Sequence, residues 1–296
     1  MSIAVIGAGK WGQAIKFALS FKNDVVITSR KERKIKDFVS LQTALDKKHL
    51  IIVISAQQIN EWLEKNFRYK KDQKILVASK GIDTKSKKFL NEIFERYVPP
   101  QNLSFLTGPS FAAEVMKALP TAVVINSVSK NTAEEFASFF PKFIKTYISD
   151  DVIGAEICGA YKNIIAIASG ICDGLELGNN ARASLIARGL VEMQRFGKYF
   201  GAKEETFLGL SGAGDLFLTA SSKLSRNYRV GFSLAKDKKL NDILHELGEV
   251  AEGVYTVNAV YAIAQKYSVY IPIATEVWHI LQGKKPQKSL ETLLEN

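Results

Sequence analysis

Lys162 is the residue in this chain best placed to give and take a proton. It lies in the stretch Glu156–Asp173, among small and apolar neighbours. A lysine kept partly out of water loses basicity and can titrate near neutral pH, which suits acid–base catalysis. The plainer reading is a stem laid on apolar surface with its ammonium in water. Other groups with chemical potential are spread along the chain. Lys80 follows a short apolar run, in Ser79-Lys80-Gly81. Asp215 closes the glycine-rich segment Leu210-Ser211-Gly212-Ala213-Gly214, with Thr219 one helical turn further on the same face. Ser225-Arg226-Asn227 is dense in hydrogen-bond donors, and an arginine there can grip a phosphate with two parallel bonds. Each also has an ordinary reading: a surface lysine before a turn, an acid at a helix start, a solvated loop.

These side chains need elements to hold them. In 156–173, Ile157, Tyr161, Ile164, Ile165, Ala168, Ile171 and Cys172 recur every three or four positions, which predicts one apolar helix face. The opposite face carries Gly159, Lys162, Asn163, Ala166, Ser169 and Gly170, small enough for something to approach closely. At the start of the chain, the apolar run 2–7 leads into Gly7-Ala8-Gly9-Lys10-Trp11-Gly12, followed by a helix over 13–21 and a strand over 24–29. Strand, glycine turn, helix and strand in that order form a dinucleotide-binding unit. Gly7 makes the tight turn, Gly9 lets the backbone approach a pyrophosphate, and Gly12 packs helix on strand. At the end of the second strand stand Ser29 and Arg30, where NAD-binding chains place an acid, and Arg33 follows a turn later. Those cations favour the extra phosphate of NADP over NAD, although Glu32 could still bind a ribose.

The alternation continues with strands expected over 50–55, 74–79, 103–106, 121–125 and 145–148, and helices over 58–66, 84–97 and 132–139. This predicts an α/β fold: an N-terminal Rossmann-like, doubly wound parallel-type sheet over 1–150, followed by an all-α C-terminal domain over 151–296. Ligand groups collect at the carboxyl ends of such strands. That edge should carry Lys80 and the turn Thr107-Gly108-Pro109-Ser110-Phe111-Ala112, whose serine could cap the next short helix or whose amides could hold a nicotinamide.

Bulk properties exclude several classes. The chain has 296 residues, 47% hydrophobic and 24% charged, with ordinary globular composition. Its net charge of +10 comes from scattered lysines without a basic tail, which reads as solvated surface rather than a nucleic-acid footprint. Cys158 and Cys172 fall about four turns apart on one predicted helix, too far to bridge, and the chain reads as reduced, intracellular and cytoplasmic. The opening Met-Ser-Ile-Ala-Val-Ile-Gly reads as a strand rather than a signal peptide, and no uninterrupted apolar run is long enough to cross a bilayer. His49, His245 and His279 stand apart from every candidate group, with no metal-ligand spacing among them.

Taken in order, Gly7–Gly12, Ser79-Lys80-Gly81, Gly108-Pro109-Ser110-Phe111-Ala112, Lys162-Asn163, Gly212-x-Gly214-Asp215, Ser225-Arg226-Asn227 and Glu252-Gly253 resemble the bacterial NAD(P)-dependent glycerol-3-phosphate dehydrogenases over essentially the whole chain. The resemblance implies reversible hydride transfer between NAD(P)H and dihydroxyacetone phosphate, giving glycerol 3-phosphate for phospholipid synthesis. It implies Lys162 as the proton acceptor and Lys80 touching both cofactor and substrate. It implies a substrate site of Gly108, Ser110, Asp215, Ser225, Arg226 and Asn227, and contacts to the dinucleotide from Trp11, Arg30, Arg33, Ala112, Arg226, Val250 and Glu252. Two cations at such a site would stabilise an oxyanion and lower one another's pKa, with Asp215 holding Lys162 in place. Lys10 departs from the family pattern, which usually has Ser or Thr there; the exchange removes a hydroxyl beside the pyrophosphate and adds a cation. A homodimer contact is expected from the helical half. The competing readings are another two-domain hydroxy-acid dehydrogenase, which needs no Arg–Asn phosphate grip, and a non-catalytic NADP-binding sensor, which needs no Lys80–Lys162–Asp215 set.

Overall fold

A computed structural model describes residues 2–248 and 250–295. Seven strands form one sheet: β1 (Ser2–Ile6), β2 (Asp24–Thr28), β3 (His49–Ile52), β4 (Lys74–Val77), β5 (Leu103–Thr107), β6 (Thr121–Asn126) and β7 (Ile144–Ser149), in the spatial order β2-β1-β3-β4-β5-β6-β7. The central strands are buried on both sides, which explains their unbroken apolar runs. Alternate residues serve opposite faces: Ile3, Val5, Ile51 and Leu76 join one apolar layer, while Ala4, Ile6, Leu50, Ile52, Ile75 and Val77 join the other. The helices of this half are α1 (Lys10–Leu19), α2 (Leu41–Leu45), α3 (Ala56–Asn66), α4 (Leu90–Phe94), α5 (Ala112–Val115) and α6 (Lys130–Ser138).

Two expectations are corrected. The sheet is mixed, because β6 runs antiparallel to β5, with Leu106 opposite Ile125, although β7 is again parallel to β6. The helix expected over 84–97 contracts to α4. Asp83 Oδ2 accepts from the Ser86 N–H at 2.8 Å and the Ser86 hydroxyl at 2.6 Å, and Lys87 takes a positive φ of 59°, which no helix continues through. The tertiary reason lies in Ile82 and Phe89, which pair across a bridge and insert into the apolar core of the second half, Phe89 edge-on to Phe200 at 5.2 Å.

The remaining chain is helical: α7 (Val152–Gly174), α8 (Gly178–Tyr199), α9 (Glu204–Leu208), α10 (Asp215–Ala220), α11 (Arg226–Leu234), α12 (Leu240–Leu247), α13 (Glu252–Tyr267), α14 (Pro272–Leu281) and α15 (Pro286–Glu295). α7 is the axle. Asp151 caps its start, accepting from the Gly154 N–H at 3.0 Å, and its second oxygen takes the Lys203 N–H and the Thr206 hydroxyl. By length and composition alone α7 could cross a membrane, although the sequence was expected to hold no uninterrupted apolar run of that length. Yet 94% of its most apolar stretch is buried inside the protein. Its small face receives α11 at backbone contact: a Cβ on Gly170 would lie 2.0 Å from the Tyr228 carbonyl oxygen, and one on Gly231 would lie 1.9 Å from that of Ile167. A larger side chain at either position would force the two helices apart.

Candidate active site

The strand order reverses at β1, with β2 on one side and β3 on the other, and the crevice outside those carboxyl ends is where such sheets take ligands. The glycine turn lies there. Gly7 has φ +119°, and a Cβ on it would strike the Val53 carbonyl oxygen at 2.2 Å. A Cβ on Gly12 would lie 1.8 Å from the Gly7 oxygen, so α1 sits directly on the turn. Gly9 has nothing within 4 Å of that position. Two glycines are thus required by the protein's own packing and the third faces open space, a cradle that fits a pyrophosphate at the start of α1. Lys10 is the first residue of α1 and exposed. Trp11 is half-buried and donates its indole N–H to the Ala78 carbonyl at 3.2 Å, which ties α1 to the end of β4. Arg30 and Arg33 are exposed beyond β2.

The charged centre forms where β4 and β5 end against α7 and α10. Lys80 leaves β4, lays its stem over Gly159 of α7, and donates to Asp215 Oδ2 at 2.6 Å and to the Gly108 carbonyl at 3.4 Å. Lys162 donates to Asp215 Oδ1 at 2.5 Å and to the Thr219 hydroxyl at 3.0 Å. One carboxylate therefore bridges two ammonium groups, and the cluster carries one surplus positive charge. Asp215 is 1% and Lys162 7% exposed, so this surplus sits out of water. Burial drives the Lys162 pKa down to about 7, with Lys80 adding to the fall and Asp215 opposing it. Burial alone would raise the Asp215 carboxyl, but Lys162 and Lys80 outweigh it and hold the group below the ordinary carboxylate value. The charge that leaves the cluster most readily is thus the Lys162 proton, and its loss leaves a neutral amine beside a neutral Lys80–Asp215 pair. The ordinary reading of Lys162, an ammonium in bulk water, does not survive this burial.

The remaining candidates divide by what their polar atoms already do. Ser110 does not cap α5: its hydroxyl donates to the Gly108 carbonyl at 3.1 Å, and Phe111 occupies the cap position without a side-chain bond. Ala112 opens α5. Ser225 caps α11, accepting from the Tyr228 N–H at 3.3 Å. Arg226 is the first residue of α11 and exposed, at the edge of the cleft. Asn227 is buried; it donates to Asn163 Oδ1 at 2.9 Å and accepts from the Gly253 N–H at 3.0 Å, so it joins α11, α7 and α13. Val250 is 43% exposed. Glu252 opens α13 and accepts from the Ser55 hydroxyl at 2.6 Å, a bond from the end of β3 to the helical half. Its other oxygen and the buried Thr256 hydroxyl lack hydrogen-bond partners among the described residues, and both face Gly81. Ser55 and Thr256 were not anticipated, since a lone serine after a strand and a threonine inside a helix carry no pattern of their own. Thr219 was visible as the residue one turn beyond Asp215.

The fold and this centre define a two-part dehydrogenase in which a nucleotide-binding sheet meets a helical half at a buried lysine pair. Comparison narrows the class. The sequence profile of the NAD-dependent glycerol-3-phosphate dehydrogenase C-terminus matches residues 151–291, and that of the N-terminus matches residues 33–133. A protein of Nitratiruptor sp. named NAD(P)+ glycerol-3-phosphate dehydrogenase is 62% identical over 295 residues, covering 100% of this chain and 98% of its own length. One of the same name from Campylobacter lari is 59% identical over 296 residues, covering 100% and 98%. The crystal structure of the glycerol-3-phosphate dehydrogenase of Coxiella burnetii superposes with a TM-score of 0.91 at 32% identity, covering 100% of this chain and 99% of that one. The chain belongs to the NAD-dependent glycerol-3-phosphate dehydrogenase family.

Proposed function

We propose that the buried Lys80–Asp215–Lys162 cluster carries the family's reaction in this chain, the reversible conversion of dihydroxyacetone phosphate to glycerol 3-phosphate, with Lys162 as the acid–base group. The observation that supports it most is that Lys162, held near a pKa of about 7, shares one carboxylate with a second lysine at the mouth of the glycine-turn crevice. A nicotinamide cofactor held at the Gly7–Gly12 turn would supply the hydride for the substrate's ketone carbon. The two ammonium groups stabilise the negative charge that develops on the carbonyl oxygen, and Lys162 gives its proton to that oxygen. In the reverse direction neutral Lys162 takes the hydroxyl proton. Asp215 keeps the two cations at one place throughout. Arg226, Asn227 and Ser225, with the start of α11, bind the phosphate, while Gly108 and Ser110 line the substrate on the sheet side. Remote phosphate binding orients the ketone without being part of the bond change.

In this reading residues 1–150 hold the dinucleotide and residues 151–296 the substrate. Gly7, Gly9, Lys10, Trp11, Gly12, Ala112, Val250 and Glu252 line the dinucleotide, and Lys80 and Arg226 reach both ligands. Arg30 and Arg33 favour NADPH over NADH. The product feeds phospholipid synthesis in the cytoplasm, and a homodimer forms through the helical half, where Val191, Tyr199 and Tyr270 are each at least half exposed.

The test is the loss of NADPH, and separately NADH, absorbance with dihydroxyacetone phosphate, for wild type and Lys162→Ala. Rapid oxidation by wild type with a fall of about a hundredfold or more in the variant supports the assignment. A folded, cofactor-binding wild type that fails to turn over this substrate sinks it.

A further inference from the structure

A second connection between the sheet and the Asp215 turn runs close to the first. Thr107, the last residue of β5, places its hydroxyl 2.7 Å from that of Ser211. Asn126, the last residue of β6, donates its amide to Thr107 Oγ1 at 2.9 Å. Two backbone carbonyls, Phe105 at 3.0 Å and Val124 at 3.4 Å, flank the same amide nitrogen and fix its orientation. Thr107 Oγ1 accepts from Asn126 and keeps one hydrogen and one lone pair, so a single hydroxyl hydrogen joins it to Ser211 with either oxygen able to donate. All three side chains are at most 4% exposed. Ser211 belongs to a π-type turn, Leu210–Gly214, closed by the Gly214 N–H on the Gly209 carbonyl at 3.1 Å; Asp215 follows as the first residue of α10. One-turn π segments are rare and occur frequently at functional sites.

Two ties therefore join the strand-end loops to one turn. The charged tie is Lys80 to Asp215. The neutral tie is Asn126 to Thr107 to Ser211, and Thr107 immediately precedes Gly108, whose carbonyl also takes the Lys80 ammonium. The charged tie changes during turnover, because Lys162 loses and regains its proton and the pull on Asp215 changes with it. The neutral tie has no titrating member and holds the same strength in both states.

We propose that Thr107, with Ser211 and Asn126, is a positioning residue for the reaction: the neutral hydroxyl bridge keeps Asp215 between the two lysines while Lys162 is deprotonated. The bridge acts through Asp215 and touches neither substrate nor cofactor. The inference rests on Lys162 and Asp215 acting as described above.

Its test uses the full chain with Thr107→Val, which keeps the shape and removes the hydroxyl, and Thr107→Ser, which restores the hydroxyl. NADPH oxidation with dihydroxyacetone phosphate is measured from pH 5.5 to 9, alongside cofactor Kd by fluorescence quenching and Tm. The expected result for Thr107→Val is a kcat about tenfold or more below wild type, with cofactor Kd within about threefold. The inflection in its kcat profile should move to lower pH, because Asp215 is the influence that raises the Lys162 pKa and it is less firmly placed. Thr107→Ser should recover kcat to within about threefold and return the inflection. Ser211→Ala should reproduce the Thr107→Val profile. A Thr107→Val enzyme with wild-type kcat and profile overturns the proposal. So does a kcat loss with an unmoved inflection, or one that Thr107→Ser fails to recover. An inactive wild type instead fails the assignment of the reaction, so the two failures are distinguishable.

Discussion

The two ends of the sheet carry the same electrostatic device. At the carboxyl end Asp215 bridges Lys80 and Lys162; at the amino end Glu135 of α6 bridges His49, at 2.6 Å, and Lys74 at the starts of β3 and β4. The difference lies in what the groups are attached to and how dry they are. His49, Lys74 and Glu135 all belong to the sheet half, and the Glu135 side chain is 26% exposed, so water shares in screening it. The carboxyl-end cluster draws its members from both halves of the molecule, and the Asp215 side chain is 2% exposed. An ion-pair triangle is therefore not itself a catalytic signal. It becomes one where burial leaves a proton on the edge of leaving and where an open crevice adjoins it.

The largest break in this comparison is Asp215→Asn. It leaves the buried Lys162 and the half-buried Lys80 without a counter-charge, and steady-state assays should show kcat/KM lower by at least about a thousandfold, because the carboxylate that holds both cations is lost. Next comes the pH dependence. With Lys162 near 7, the rate of ketone reduction at saturating substrate should be full below that value and fall above it, because the protonated form is the donor. The oxidation rate should show the opposite slope, and stopped-time assays in both directions across pH 5.5 to 9 check it. At the amino end the expected change is in stability, not turnover. Burial holds the His49 pKa below its ordinary value despite Glu135, so folding disfavours its protonated form. The Glu135 carboxyl is also held low: its own desolvation would raise it, and Lys74 and His49 outweigh that. Both groups therefore bind more protons unfolded than folded as the pH falls through the range between their folded and unfolded values, and this contribution to stability is lost on acidification. Glu135→Gln should lower Tm by about 2–4 °C at pH 7 and flatten the acid side of the Tm profile, with kcat within about twofold of wild type. Outside both clusters, Arg30→Ala with Arg33→Ala, at the carboxyl end but in open solvent, should change only the NADPH-to-NADH preference, by about tenfold, read from the two kcat/KM values.

The strands were legible because a buried parallel-type strand is a short apolar run with turn residues at its ends, and all seven runs lie within a few residues of the strands found. Their direction was not. Thr121–Asn126 reads the same whether it pairs parallel or antiparallel, and only the connection through α5 decides it. The stretch 84–97 had the period of a helix, but Asp83 and Lys87 bend its first half, and Phe89 is drawn into a core that residue spacing cannot reveal. In the site, Lys162, Lys80 and Asp215 were found from residue type and position along the chain. Their shared carboxylate was anticipated only for Lys162; that Asp215 also holds Lys80 depends on two strand-end loops meeting one turn. Ser55 was given no role, and Thr107 was named only as the start of a turn, for a related reason: a hydroxyl acquires its role from a partner about 100 or more residues away, and nothing local marks it.

The mutual glycine contacts of α7 and α11 have a consequence for how the protein recognises size. Gly170 and Gly231 lock the two helices backbone to backbone, and the Asn163–Asn227 bond pins them near the cleft. Lys162 rides on one helix and Arg226 and Asn227 on the other, so the span between the proposed proton donor and the proposed phosphate-binding residues is set by this one helix pair. Lys80 and the glycine turn belong to the opposite piece. Under the assignment proposed above, a displacement of the sheet half against the helices would alter the reach of the cofactor, while the distance from Lys162 to Arg226 and Asn227 would keep its length.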